Sequence, residues 1–226
     1  MVIPSLNRPR AILFDWDNTL VDTWPCIFEV LNTTYRAMGH EEWTLERFRA
    51  ELGPSLRDSF PAKFGDRWEE ARDIFYATFN AIHLQKLIVL PGAGELLATL
   101  HADGLYLGIV SNKTGSHLRD EVNHMGWSSY FGGIVGALDA ERDKPAAEPV
   151  HLALAGSGVD AGSGVWFVGD SHTDLQCAVN AGCVPILLRP EPPSIGEFPT
   201  CPPREHVADC VAFRDLVCAS FDLRQG

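Results

Sequence analysis

The sequence has no C-x-x-C element, no apolar run long enough to span a membrane and no cluster of basic residues. Its six cysteines, Cys26, Cys177, Cys183, Cys201, Cys210 and Cys218, are scattered. A chain of 226 residues has core enough to stand without disulfide staples. The thiols therefore read as free, mostly buried and held in a reducing compartment. Lys and Arg number 18 against 30 Asp and Glu, a formal net charge of -12. That balance excludes non-specific binding to nucleic acid or to an anionic membrane, both of which need clustered positive charge. The first ten residues hold no apolar signal core, so a cytoplasmic location is expected. G-K-[ST] and G-x-S-x-G are also absent, which leaves P-loop and α/β-hydrolase readings without their motifs. The G-S-G-V-D-A-G-S-G stretch at 156–164 is no dinucleotide fingerprint, because it precedes a strand rather than following one.

What is present begins at Ala11. Ala11 to Phe14 form a continuous apolar run that ends in Asp15, Asp17 and Asn18. A run without polar alternation suits a strand buried on both faces of a parallel sheet. Ligands in such sheets bind beyond the carboxyl ends of the strands, where these acids stand. The same acids also suit an Asx turn leaving a strand. From Trp24 to about residue 85 every apolar pattern is helical, with no strand signal. Further apolar strands are expected at Leu87–Leu90, Leu105–Val110, Tyr130–Val135, Val165–Val168 and Val184–Leu188, with a last one near Val207–Val211. Helices fall between them, at Ala93–Ala102, Ser116–Met125, Ala146–Ala155 and Thr173–Ala181, and at Phe213–Ala219. This alternation predicts an α/β, Rossmann-like parallel sheet core. The core comprises residues 1–21 and 87–226, with an all-helical domain inserted at 22–86. Six of the fifteen prolines fall in residues 189–205, which read as a loop or irregular arm.

Three more polar clusters lie at or beyond strand ends: Ser111-Asn112-Lys113, Lys144 in R-D-K-P-A-A-E-P, and G-D-S-H-T-D at 169–174. Each alone is ordinary turn, cap or surface chemistry. On one edge of a parallel sheet they converge. Asp15, Asp17, Asp170 and Asp174 then crowd four carboxylates near one point, which an oxygen-seeking divalent cation such as Mg2+ would resolve. Lys144 adds a fixed positive charge. A phosphate ester completes the metal's ligands, and the Ser111 hydroxyl can bind a phosphate oxygen. The two acids of D-W-D need different tasks. Asp15, at the strand end, suits the nucleophile that forms an aspartyl-phosphate. Asp17 suits the acid that protonates the leaving oxygen and then activates water.

D-W-D-N-T-L-V-D-T resembles the first motif of the haloacid dehalogenase-like hydrolases, usually D-x-D-G-T-L. Ser111, Lys144 and G-D-S-H-T-D match the second, third and fourth in order. The resemblance implies metal ligation by Asp15, the Asp17 carbonyl and Asp170, with Asp174 supporting the metal's water shell or Lys144. It also implies that Thr19, Ser111 and Asn112 orient the phosphoryl group, and that the helical insertion is a mobile cap hinged at Val21–Trp24 and Lys86–Pro91. Trp16 replaces Phe or Leu and should not touch the chemistry, while Asn18 replaces Gly at a left-handed turn. Asp17 speaks against a dehalogenase, which releases halide and needs no leaving-group acid. Lys63 and Lys86 have no supporting motif for Schiff-base chemistry. S-N-K-T and G-P-S-L, the latter at 53–56, look most like phosphoglycolate phosphatase-type members. Arg57 is then a candidate for a second anionic group on a small phosphorylated metabolite, or a solvated helix charge. His172 reads as an exposed residue at a helix start. A phosphosugar mutase and a phosphate-binding module without turnover remain the alternatives. The sequence leaves the oligomeric state open.

Overall fold

The computed structural model describes residues 6–51 and 56–222, without the side chains of 51, 56–58 and 222. The elements run β1 (Ala11–Phe14), β2 (Val21–Asp22), α1 (Trp24–Ala37), α2 (Leu45–Glu51), α3 (Leu56–Phe64), α4 (Trp68–Ile82), β3 (Ile88–Val89), α5 (Ala93–Ala102) and β4 (Tyr106–Thr114). They continue α6 (Gly115–His124), β5 (Gly133–Ala137), α7 (Glu148–Ala153), β6 (Val165–Gly169), α8 (His172–Asn180), β7 (Val184–Leu188), β8 (Glu205–Val207) and α9 (Cys210–Asp222).

The chain forms two compact units. One comprises the residues up to Asp22 and those from Val89 onward, the other Thr23–Ile88. In the first, six strands make an all-parallel sheet in the order β5-β4-β1-β6-β7-β8. This is the expected α/β core. Strand β1 is central, and Ala11, Ile12, Leu13 and Phe14 have no exposed surface. Its neighbour β6 is equally buried, which is why both read as runs without alternation. Because the strands are parallel, the residues following β1, β4, β5 and β6 all emerge on one edge. β2 and β3 pair apart from the main sheet.

The helical unit has its own core, built from Val30, Leu31, Tyr35, Phe48, Phe60, Phe75 and Phe79 among others. Helix α1 begins with Pro25 in its first turn, where the missing N–H costs no helix bond. Gly39 follows the helix at φ 77°, the left-handed residue that ends it.

Two expectations need correction. β4 continues through Ser111–Thr114, which had read as a turn, because a register shift between Val110 and Thr114 lets the polar stretch stay paired with β5. β8 lies at Glu205–Val207 rather than Val207–Val211, and α9 already begins at Cys210, with Val211 on its exposed side. The proline-rich arm is irregular as expected, yet it buries Phe198 and Cys201 against Leu175 and Leu187. All six cysteines are free, five of them buried.

Candidate active site

Asp15 stands at the carboxyl end of β1, where its backbone N–H donates to the Val168 carbonyl at 2.8 Å. That bond ties it to the end of β6. Lys144 comes from the loop after β5. Its Nζ donates to Asp15 Oδ1 and to Asp174 Oδ1, each at 2.6 Å. All three side chains are buried. A second clamp fixes the lysine's backbone: Asn112 Nδ2 donates to the Lys144 carbonyl and the Lys144 N–H donates to Asn112 Oδ1, both at 3.0 Å. Asn112, expected to orient a phosphoryl group, here holds the loop that delivers Lys144. The Lys144–Pro145 peptide is cis.

Asp174 lies in the first turn of α8. The Ser171 N–H and hydroxyl both donate to its Oδ2, at 3.1 and 2.6 Å, so the carboxylate that caps the helix is also the one that anchors Lys144. Asp170, between β6 and α8, completes the group. Carboxylate oxygens of Asp15, Asp170 and Asp174 all lie within 4.8 Å of one another. Gly169 permits this approach, because a Cβ there would sit 2.4 Å from Asp174 Cβ.

Three carboxylates against one ammonium leave an excess of negative charge in a buried place. Burial is the largest influence on Asp15 and pushes it to about 7, although Lys144 pulls the other way. Burial also pushes Asp170 to about 8, helped by Asp15 and Asp174. Burial alone would lower the Lys144 ammonium, but Asp15 and Asp174 outweigh it and hold it above its ordinary value. A hard divalent cation fits this donor set. All donors are oxygens, they converge, and their charge is under-compensated without one.

Asp17 belongs to a different environment. Its carboxylate is not among the converging metal-type oxygens; Oδ1 is buried and ion-paired with Lys113 Nζ at 2.7 Å, off the alignment of a hydrogen bond. Asn18 adopts φ 61°, as its replacement of Gly implies, and the tight turn returns through Asn18 N–H to the Val21 carbonyl at 2.6 Å. Thr19 Oγ1 is fully buried and has no hydrogen-bond partner among the described residues. Ser111 is buried at the sheet edge and its Oγ accepts from the Lys113 N–H at 3.2 Å. His172 is exposed at the start of α8, its ring stacked near Phe198. Residues 53–55 and the Arg57 side chain lie outside the described residues.

Two further residues escaped the sequence reading. Lys113 lies inside the S-N-K run, and Glu121 lies on α6, where nothing in the local sequence marks it. Glu121 Oε2 accepts from Lys113 Nζ at 2.6 Å and from the Trp16 indole Nε1 at 2.6 Å. Trp16, expected to stay clear of the chemistry, thus shares a partner with the lysine that holds Asp17. The one available signal was S-N-K itself, a lysine next to the presumed phosphate-binding residues.

Residues 12–187 match the profile of the haloacid dehalogenase-like hydrolase family. The chain is 27% identical over 211 residues to a phosphoglycolate phosphatase of Salmonella typhimurium, covering 81% of this chain and 82% of that one. It is 32% identical over 174 residues to the pyrophosphatase PpaX of Anoxybacillus flavithermus, covering 76% and 80%. A solved hydrolase of the same superfamily from Ehrlichia chaffeensis superimposes with a TM-score of 0.65 at 29% identity, over 96% of this chain and 100% of that one.

Proposed function

The chain belongs to the haloacid dehalogenase-like hydrolases, and from that premise we propose that it is a magnesium-dependent phosphatase of a small phosphorylated metabolite, phosphoglycolate-like in size, working through an aspartyl-phosphate on Asp15. The observation that carries this reading is the separation of the two acids of D-W-D. Asp15 is held by Lys144 at 2.6 Å and Asp17 by Lys113 at 2.7 Å. Two carboxylates in different surroundings can serve as nucleophile and as acid/base without exchanging roles.

Asp15, Asp170 and the backbone carbonyl of Asp17 would hold Mg2+, with Asp174 behind them, and the ion would neutralise phosphoryl charge and orient it for in-line attack. The Asp15 carboxylate oxygen attacks phosphorus and the ester P–O bond breaks. Asp17 gives its proton to the departing oxygen. Asp17, now a base, takes a proton from water, which attacks the acyl-phosphate and releases inorganic phosphate and free Asp15. Lys144 neutralises charge beside Asp15 throughout, and Ser111 and Thr19 supply hydroxyls at the phosphoryl site.

Phosphate release from p-nitrophenyl phosphate, phosphoglycolate, pyrophosphate and hexose phosphates, with Mg2+ and then with chelator, tests the reading. Magnesium-dependent release, strongest on phosphoglycolate-sized esters, is expected. No metal-dependent release from any of these substrates would overturn it.

A further inference from the structure

Glu121 is a carboxylate that the reaction above does not use, and it is in an expensive position. It is 1% exposed and lies on α6 beside Leu118 and Val122, which have no exposed surface. Packing alone would favour a third apolar residue there. A buried charge is costly unless paired, and a buried ion pair is often no more stabilising than apolar residues of the same volume. Stability is therefore a poor account of Glu121.

Its contacts give a better one. Glu121 Oε2 accepts from two donors at 2.6 Å, the Trp16 indole and the Lys113 ammonium. Trp16 lies between Asp15 and Asp17 in the chain and is itself fully buried, edge-on to Trp127. Lys113 extends to Asp17 Oδ1 at 2.7 Å. One carboxylate oxygen on α6 thereby fixes the turn carrying both acids and the lysine that grips one of them. Burial works against the Lys113 charge, but Asp17 and Glu121 outweigh it and keep the ammonium charged.

We infer that Lys113 and Glu121 are positioning residues for proton transfer to the leaving group, Lys113 fixing one oxygen of Asp17 so that the other faces the ester oxygen, and Glu121 fixing Lys113 and the Trp16 turn. This rests on the phosphatase reading with Asp17 as acid. General acid catalysis matters most where the leaving group is a poor anion. Alkyl phosphates release an alkoxide unless it is protonated, whereas p-nitrophenolate is stable as an anion. A mispositioned Asp17 should therefore harm alkyl substrates selectively. kcat/KM is the proper measure, because it stops at the first irreversible step and leaves out the later use of Asp17 as base.

The test compares kcat/KM for phosphoglycolate, or another alkyl phosphate the enzyme accepts, with that for p-nitrophenyl phosphate. Two variants are measured: Glu121→Gln, which keeps side-chain volume, and the double variant Lys113→Met with Glu121→Leu, which replaces the buried pair with apolar side chains. Melting temperature is recorded for both. The alkyl-to-aryl ratio should fall at least tenfold in the double variant, against the roughly hundredfold that is the least a general acid typically supplies, and by less in Glu121→Gln. Loss of folded protein lowers both rates alike and leaves the ratio unmoved, so the ratio separates positioning from stability. A fall of less than about tenfold in the double variant, with folded protein, overturns the inference. Wild-type enzyme without metal-dependent turnover of either substrate overturns the phosphatase reading, and this inference with it.

Discussion

Lys144 Nζ lies 2.6 Å from Asp15 Oδ1, although 129 positions separate the two residues in the chain. The contact is possible because the loop after β5 is pinned by Asn112 and because the ends of β1 and β5 share a sheet edge. The lysine is the principal compensation for two buried carboxylates, Asp15 and Asp174. Lys144→Met should remove it. Without metal, Asp15 then loses the ammonium that holds its carboxyl down and rises further above the ordinary carboxylate range, and the proposed nucleophile loses its fixed partner. We expect turnover to fall at least a hundredfold and stability to fall by about 3 kcal/mol in metal-free buffer, as for other broken buried pairs. Steady-state kinetics and denaturant unfolding measure both. Unchanged turnover would remove Lys144 from the reaction.

Gly169 makes the same cluster possible from the other side. An alanine Cβ would sit 2.4 Å from both Cβ and Cγ of Asp174, and neither atom is the free end of a flexible chain. Gly169→Ala should therefore push Asp174 away from Lys144 and disturb the start of α8. Overpacking of this kind costs about 1–3 kcal/mol. The melting temperature should drop and turnover with it. A variant with wild-type stability and activity would show that α8 yields without cost.

The converging oxygens of Asp15, Asp170 and Asp174 predict stabilisation by metal. Ligand present at about a hundred times its dissociation constant adds about 2.7 kcal/mol to the folded state. Mg2+ should raise the melting temperature of the wild type and chelator should reverse the rise. Asp170→Asn should weaken the response strongly, because it removes one of three converging charges. An equal metal-induced shift in Asp170→Asn would place the ion elsewhere.

Much of this arrangement was legible in the sequence, for physical reasons that differ by residue. β1 and β6 announce themselves because strands covered on both faces carry no polar alternation, and the acids that follow them are marked by abrupt polarity at the strand end. Lys144 was legible as chemistry but not as a contact; only the parallel order β5-β4-β1-β6 brings it to Asp15. Ser111–Thr114 misled because four polar residues resemble a turn, whereas a bulge keeps them in β4. Glu121 was illegible. A glutamate amid helix-forming neighbours reads as a surface charge, and its partners Trp16 and Lys113 are 105 and 8 residues away on other elements. Pairing across elements leaves no local periodicity to detect.

The proposed division of labour between Asp15 and Asp17 makes the sharpest prediction. With p-nitrophenyl phosphate the leaving group departs without an acid, so Asp17→Asn should still transfer phosphate to Asp15. The second step differs, because water must lose a proton before it attacks the acyl-phosphate, and asparagine cannot take it. Asp17→Asn enzyme should therefore release about one equivalent of p-nitrophenol in a burst and then turn over at least a hundredfold more slowly than wild type. Rapid-mixing absorbance gives the burst amplitude, and intact-mass spectrometry of the quenched enzyme should find one added phosphoryl group. Asp15→Asn should show neither, since it has no carboxylate to receive phosphate. Both variants change the turn between β1 and β2, so a burst from Asp17→Asn shows that the turn accepts an amide, and a wild-type melting temperature for Asp15→Asn ties its missing burst to the lost carboxylate. Steady turnover by Asp17→Asn with no burst and no adduct would assign the base to another residue. A burst from Asp15→Asn would move the nucleophile away from the end of β1.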